Sequence, residues 1–171
     1  MILRLPPDAL LVLIGPSGAG KSTFAARHFA VEQVISSDAM RAVVSGDPND
    51  QTATGAAFEL LHGALEQRLA DGQITVVDAT NVERWARARL LAAARRHQRQ
   101  AVAIVLDLPL TACLERNRER QDRTLPEGAI RRQHGRMRAS LATISDEGFV
   151  RVVRLSSVEA VDAARVEVVP A

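Results

Sequence analysis

An α/β domain with a parallel sheet of about five strands, covered by helices on both faces, is the fold this sequence predicts. Three observations carry it. Leu10-Leu-Val-Leu-Ile14 is a continuous apolar run ending in a glycine-rich turn, the pattern of a strand buried on both faces. Further short apolar runs recur along the chain, separated by segments with helical spacing. Alternation of this kind calls for right-handed crossovers, and those for a parallel sheet between two helical layers.

The elements follow in order. The N-terminal stretch is apolar, but Pro6, Pro7 and Asp8 interrupt it, so it reads as a lead-in to the first strand and not as a secretory signal. Ser22 to Phe29 has helical spacing. Gln33 to Ile35 is a second strand, closed by Ser36 and Ser37. A helix is expected to start at Asp38, whose carboxylate is a favoured N-cap. Residues 45–51 (SGDPNDQ) are rich in turn formers, and Thr52 to Ala70 reads as a long amphipathic helix ended by Asp71-Gly72. Ile74 to Asp78 is the third strand, after which Asn81 is expected to cap an Arg- and Ala-rich helix running to about Arg99. Ala101 to Asp107 is the fourth strand, with a helix from Leu110 to Arg120. Residues 121–128 are polar, and a helix spans about Ala129 to Ser140. Phe149 to Leu155 is the fifth strand, with a short helix from about Ser157. Neither repeat nor linker divides the chain, so one domain is expected over residues 1–171, with a lid at about 116–128.

Composition narrows the class. At 171 residues with 47% hydrophobic and 25% charged side chains, the chain has the make-up of an ordinary globular protein. No apolar run approaches the ~20 residues of a membrane span. A single cysteine, Cys113, excludes an internal disulfide and fits a reduced cytoplasm, with the thiol as a small core residue. The net charge of +2 hides an asymmetry: −5 over residues 1–83, +9 over 84–138 and −2 over 139–171. A cationic middle third suggests an anionic ligand.

Of the 22 cationic side chains, 21 are arginine, and the one lysine sits in Gly15-Pro16-Ser17-Gly18-Ala19-Gly20-Lys21-Ser22-Thr23. This matches the phosphate-binding pattern G-x-x-x-x-G-K-[ST], with a strand before it and a helix after it. Glycines let the backbone turn its N–H groups inward around phosphate oxygens, and the helix adds the positive end of its dipole. Lysine is needed because its slim stem threads along the loop to the β- and γ-phosphates, where a planar guanidinium does not fit. The Ser22 hydroxyl is placed to ligate Mg²⁺. The fold class is therefore that of a P-loop NTPase. GTPases read guanine through an Asn/Thr-Lys-x-Asp motif, which a chain without a second lysine cannot contain, so ATP is favoured.

Ligands of open α/β sheets sit beyond the carboxyl ends of the strands. Asp38, Asp78 and Asp107 all end strands there. Asp38, with Arg41 one turn later on the same helix face, can accept the proton of an incoming hydroxyl while Arg41 holds an anion on the acceptor; the alternative is a helix cap with an ion pair. Asp78 reads as a carboxylate that steadies hydrated Mg²⁺, and Asp107 as structural. Asn81 and Arg84, just after the third strand, are taken as acceptor-binding. Arg116, Arg120 and Arg123 project to one side as the cations of a lid closing on ATP phosphates, or else belong to an exposed, ion-paired helix. Trp85 is expected to pack on its helix.

The stretches GPSGAGKSTFA, VISSDAMR, DPNDQTATGAAF, TVVDATN, LERNRERQDR and EGFVRV together resemble the kinase domain of the bacterial polynucleotide kinase–phosphatases that heal broken RNA ends. They keep one order over nearly the whole chain. The resemblance implies transfer of the ATP γ-phosphate to the 5′-hydroxyl of RNA or DNA. It implies Lys21 and Ser22 on phosphate and Mg²⁺, Asp38 as general base, Arg41 on the acceptor's backbone phosphate, and Arg116, Arg120 and Arg123 in the lid. In that family the kinase is accompanied by phosphatase and ligase-like domains, for which these 171 residues have no room, so a stand-alone kinase and an N-terminal domain both fit. With 3% aromatic content and no Tyr, any nucleic-acid grip is expected to be short and led by phosphate. A small-molecule kinase acting on a sugar, nucleoside or antibiotic, and a nucleotide-gated binding module, are the competing readings.

Overall fold

The computed structural model describes residues 1–122 and 125–170. The chain opens with β1 (Ile2–Leu5), then β2 (Leu10–Ile14), α1 (Lys21–His28), β3 (Val34–Ser36), α2 (Ser37–Ser45) and α3 (Thr54–Ala70). It continues through β4 (Thr75–Asp78), α4 (Arg84–Arg96), β5 (Ala101–Leu106), α5 (Leu110–Glu119), α6 (Glu127–Ser140), β6 (Arg151–Leu155), α7 (Val158–Ala163) and β7 (Arg165–Val168). Five strands form one parallel sheet in the order β3-β4-β2-β5-β6. This is the predicted α/β P-loop fold.

Strand alternation divides the core into two layers. Leu11 and Leu13 of β2, with Val102 and Ile104 of β5, face Phe24 of α1 and Cys113 and Leu114 of α5. Leu10, Val12 and Ile14, with Ala103 and Val105, face the other way onto Leu61, Leu65 and Leu69 of α3 and Leu90 and Leu91 of α4. The i, i+4 spacing of the three α3 leucines makes the apolar stripe that this layer needs. α6 anchors in both layers, through Ile130 in one and Met137 in the other.

Several expectations are corrected. The N-terminal lead-in is itself a strand: β1 pairs in parallel with β7, a strand missed altogether, in a separate two-stranded sheet. Both are short: in β1 only Leu3 and Leu5 are buried, and in β7 no residue is more than half-buried, so neither makes a continuous apolar run. The N-cap of α2 is Ser36, whose hydroxyl accepts from Ala39 N, which frees Asp38 from capping. α4 begins at Arg84 with Glu83 as N-cap and ends at Arg96, so Asn81 does not cap it. Among the described residues no helix is long and apolar enough to cross a membrane.

One charge lies within the second core layer. Arg87 of α4 is 0% exposed. It donates to both carboxylate oxygens of Glu147, at 2.7 and 2.6 Å, and to Asn81 O at 2.9 Å. A buried ion pair is net stabilising or not depending on its geometry, but removing one partner strands the other without water. Arg87→Met is therefore expected to lower unfolding free energy by about 3–5 kcal/mol, and Arg87→Met with Glu147→Leu to recover much of it, both read by urea titration.

Candidate active site

The phosphate loop closes between β2 and α1. Gly15 N donates to Thr80 O at 3.0 Å, tying the loop to the exit of β4. Gly18 and Gly20 adopt left-handed conformations, with φ of 83° and 91°. Lys21 is 8% exposed and curls back so that its Nζ donates to Gly15 O and Pro16 O, both at 2.9 Å. The ammonium is thus held inside the loop, as the lone lysine predicts. The first amides of α1 have no intrahelical acceptor and are open to an anion.

α5 packs directly on this loop. A Cβ added to Gly18 would lie 2.3 Å from the carbonyl oxygen of Cys113, so only glycine fits. Cys113 is fully buried, and burial pushes its thiol pKa up, which makes it inert. One turn on, the Arg116 guanidinium lies against Gly20, 3.2 Å from where a Cβ would stand. Arg120 is hydrogen-bonded to Asp122, at 2.9 and 3.1 Å, which raises its pKa against the effect of partial burial; the carboxylates of Asp38 and Asp78 act in the same upward direction. Asn117 ties α5 to the residue that leads into α6, its amide exchanging hydrogen bonds with Leu125 O (2.9 Å) and Leu125 N (3.0 Å). Arg123 lies outside the described residues.

The opposite wall is α2 and the start of α3. Arg41, 7% exposed, pairs with Asp38 and donates from Nε to Thr54 Oγ1 at 3.3 Å. Ser17, Gly18, Gly20, Lys21, Ser22, Thr23, Asp38, Arg41, Asp78, Arg116 and Arg120 line one cleft of about 950 Å³. A hydroxyl (Ser22) and a carboxylate (Asp78) there form a donor set suited to Mg²⁺, which commonly takes one or two protein oxygens and completes its shell with phosphates and water. Among the described residues no cluster of three or more His, Cys, Asp or Glu competes for a metal.

Other expected residues are placed differently. Gly15, Pro16 and Ala19 form the buried floor of the loop and do not line the cleft. Asn81, assigned to the acceptor, is 4% exposed, and its amide donates to Leu13 O (2.8 Å) and Ala79 O (3.3 Å), holding β2 and β4 together. Arg84 is exposed beyond the cleft lining. Asp107 is structural, with Arg138 at 2.9 Å and Arg154 at 2.6 Å on its carboxylate. Trp85 does not pack: it is 63% exposed. Sequence reasoning missed Thr54, Asn117 and Gln133. The last, from α6, accepts the Ser17 N–H at 2.9 Å, and no sequence pattern marks it.

A family model described as an AAA domain matches residues 10–144. The chain superposes at a TM-score of 0.69 on a chain of the Pnkp1/Rnl/Hen1 RNA repair complex, with 21% identity over 82% of this chain and 46% of that one. It thus spans under half of that relative. A gluconokinase from Sinorhizobium meliloti 1021 aligns at 0.55, with 20% identity over 89% and 84% of the two chains. Kti12 from Chaetomium thermophilum, in complex with ADP-AlF3, aligns at 0.66, with 17% identity over 86% and 88%. At these identities the likeness is one of fold. No curated protein matches.

The Gly18–Cys113 contact is directly testable. Gly46 has a similar φ of 78° but open space where a Cβ would go. Gly46→Ala is expected to cost only backbone strain, about 1–3 kcal/mol. Gly18→Ala is expected to cost clearly more in thermal unfolding, and to weaken nucleotide binding in calorimetry.

Proposed function

The chain belongs to this AAA-domain family, and from that premise we propose that it is an ATP-dependent polynucleotide 5′-hydroxyl kinase. The observation that carries the reading is one cleft in which the Asp38–Arg41 pair faces the Lys21 loop. The RNA-repair neighbour and the ordered motifs shared with end-healing kinases favour a nucleic-acid end as acceptor.

Each side chain then has a task. The loop amides and Lys21 bind the β- and γ-phosphates, with Nζ exchanging carbonyl partners for phosphate oxygens. Asp38 accepts the proton of the 5′-hydroxyl as its oxygen attacks the γ-phosphorus and the bond to the β-phosphate oxygen breaks, releasing ADP. Arg41 holds the phosphate next to the terminal nucleoside; among the described residues its Nη2 makes no hydrogen bond, so it is available for that contact. Arg116 and Arg120, with Arg123 as a further lid candidate, offset charge on the transferring group. Ser22 and Asp78 would hold Mg²⁺, which would supply charge that neutralises the nucleotide phosphates.

Incubation with γ-labelled ATP and a 5′-hydroxyl oligonucleotide is expected to label the oligonucleotide; label confined to a sugar or nucleoside would assign the small-molecule alternative instead. Asp38→Ala is expected to bind ATP nearly normally and to lose ~10²–10⁴-fold in turnover, a general-base magnitude. The KM for oligonucleotide should rise with salt, because phosphate contacts release counterions.

A further inference from the structure

Trp85 is the only tryptophan in a chain without tyrosine, and it stands 63% exposed. Its position relative to the cleft follows from the seam between α3 and α4. Both helices start at the cleft end of the sheet and run away from it in parallel. Arg89 contacts Glu59 at 3.3 Å and Arg96 contacts Glu66, and in each pair the residues are 30 positions apart. The same offset sets Trp85 level with Gly55, one turn nearer the cleft. Trp85 and Arg89 are i, i+4 on one face, and helical side chains lean toward the N-terminus, here toward the cleft mouth.

The helix surface level with Trp85 is unobstructed: a Cβ added to the exposed Gly55 would meet nothing within 4 Å. Thr54, the next residue, lines the cleft and accepts from Arg41 Nε. This open surface is therefore one residue away from the cleft lining. Its charge suits an anion, since the nearby carboxylates are occupied, Glu59 by Arg89 and Glu83 by Arg136. Arg84, adjacent to Trp85, is exposed and among the described residues has no ion-pair partner. An exposed indole with an exposed guanidinium next to it in the chain suits a flat base attached to a phosphate.

We propose that this helix face is the subsite for the second nucleotide of a single-stranded nucleic-acid acceptor, with its base stacked on Trp85 and its phosphate met by Arg84. The proposal rests on the reading of the cleft as a polynucleotide kinase site and deepens it, since it makes acceptor length matter.

Two acceptors test it: a nucleoside 3′-monophosphate, too short to reach Trp85, and a 5′-hydroxyl hexanucleotide. Trp85→Ala is expected to raise KM about tenfold for the hexanucleotide, within the range of one lost base stack, and to leave KM for the monophosphate and for ATP within about twofold. Gly55→Leu, which occupies this exposed helix surface, should reproduce this pattern with the fold intact by circular dichroism. The hexanucleotide should also quench the fluorescence of the wild-type protein, which comes from Trp85 alone. Equal KM changes for both acceptors, or none, would overturn the Trp85 subsite while leaving the kinase reading standing. If the protein phosphorylates no oligonucleotide, the kinase reading falls and quenching decides the subsite: quenching by the hexanucleotide upholds it, and its absence overturns it.

Discussion

The site depends on a single close approach, that of the phosphate loop to the backbone of α5. Gly18 sits so near the Cys113 carbonyl that no side chain fits between them. This contact fixes α5 in rotation as well as position, and the rotation brings Arg116 against Gly20 and Arg120 into the cleft while turning Arg118 out to Glu127. The clasp between Asn117 and Leu125 then returns the chain to α6, whose Gln133 reaches the same loop at Ser17. The donor half of the site is in this sense one packed unit, with the loop at its centre and the lid's two ends tied to it.

A chain so rich in arginine has to keep most of those charges away from the cleft, and the structure shows how it sorts them. Arg87 is buried on Glu147, Arg138 and Arg154 share Asp107, and Arg99 pairs with Asp8 at 2.7 Å. Others form the α3–α4 seam with Glu59 and Glu66. The cationic middle third visible in the sequence is thus mostly consumed in holding helices to one another. Exposed pairs of this kind contribute little each, about 0–1 kcal/mol; their use here is to set the register of neighbouring helices.

Fold class was legible because it is written in local patterns: buried runs such as Leu10–Ile14 and the glycine loop that follows them. The β1–β7 sheet was not, because its strands are short, half-exposed and paired from opposite ends of the chain. Within the site, Lys21, Ser22, Asp38 and Arg41 were readable from spacing as residues of one cleft, since each lies close to a strand end. Asn81 misled because polar residues after a strand serve equally well as caps, ligands or strand clamps, and only the fold shows that this amide is spent on Leu13 O. Gln133 and Thr54 were invisible for the opposite reason: each acts on a residue distant in sequence, through a single side-chain hydrogen bond.

The Asp38–Arg41 pair also bears on which acceptors the cleft can use. Arg41 is nearly buried and fixed by Thr54, so it cannot swing away from Asp38 to make room. An acceptor that carries an anion beside its alcohol shares the guanidinium, and this sets the hydroxyl next to the Asp38 carboxylate. A neutral sugar can fill the same space without that effect. On the proposed reading, recognition of a strand end and activation of its hydroxyl are therefore one event, carried by a single ion pair. The acceptor's own phosphate provides the discrimination that this cleft, with few aromatic side chains, does not obtain from its bases.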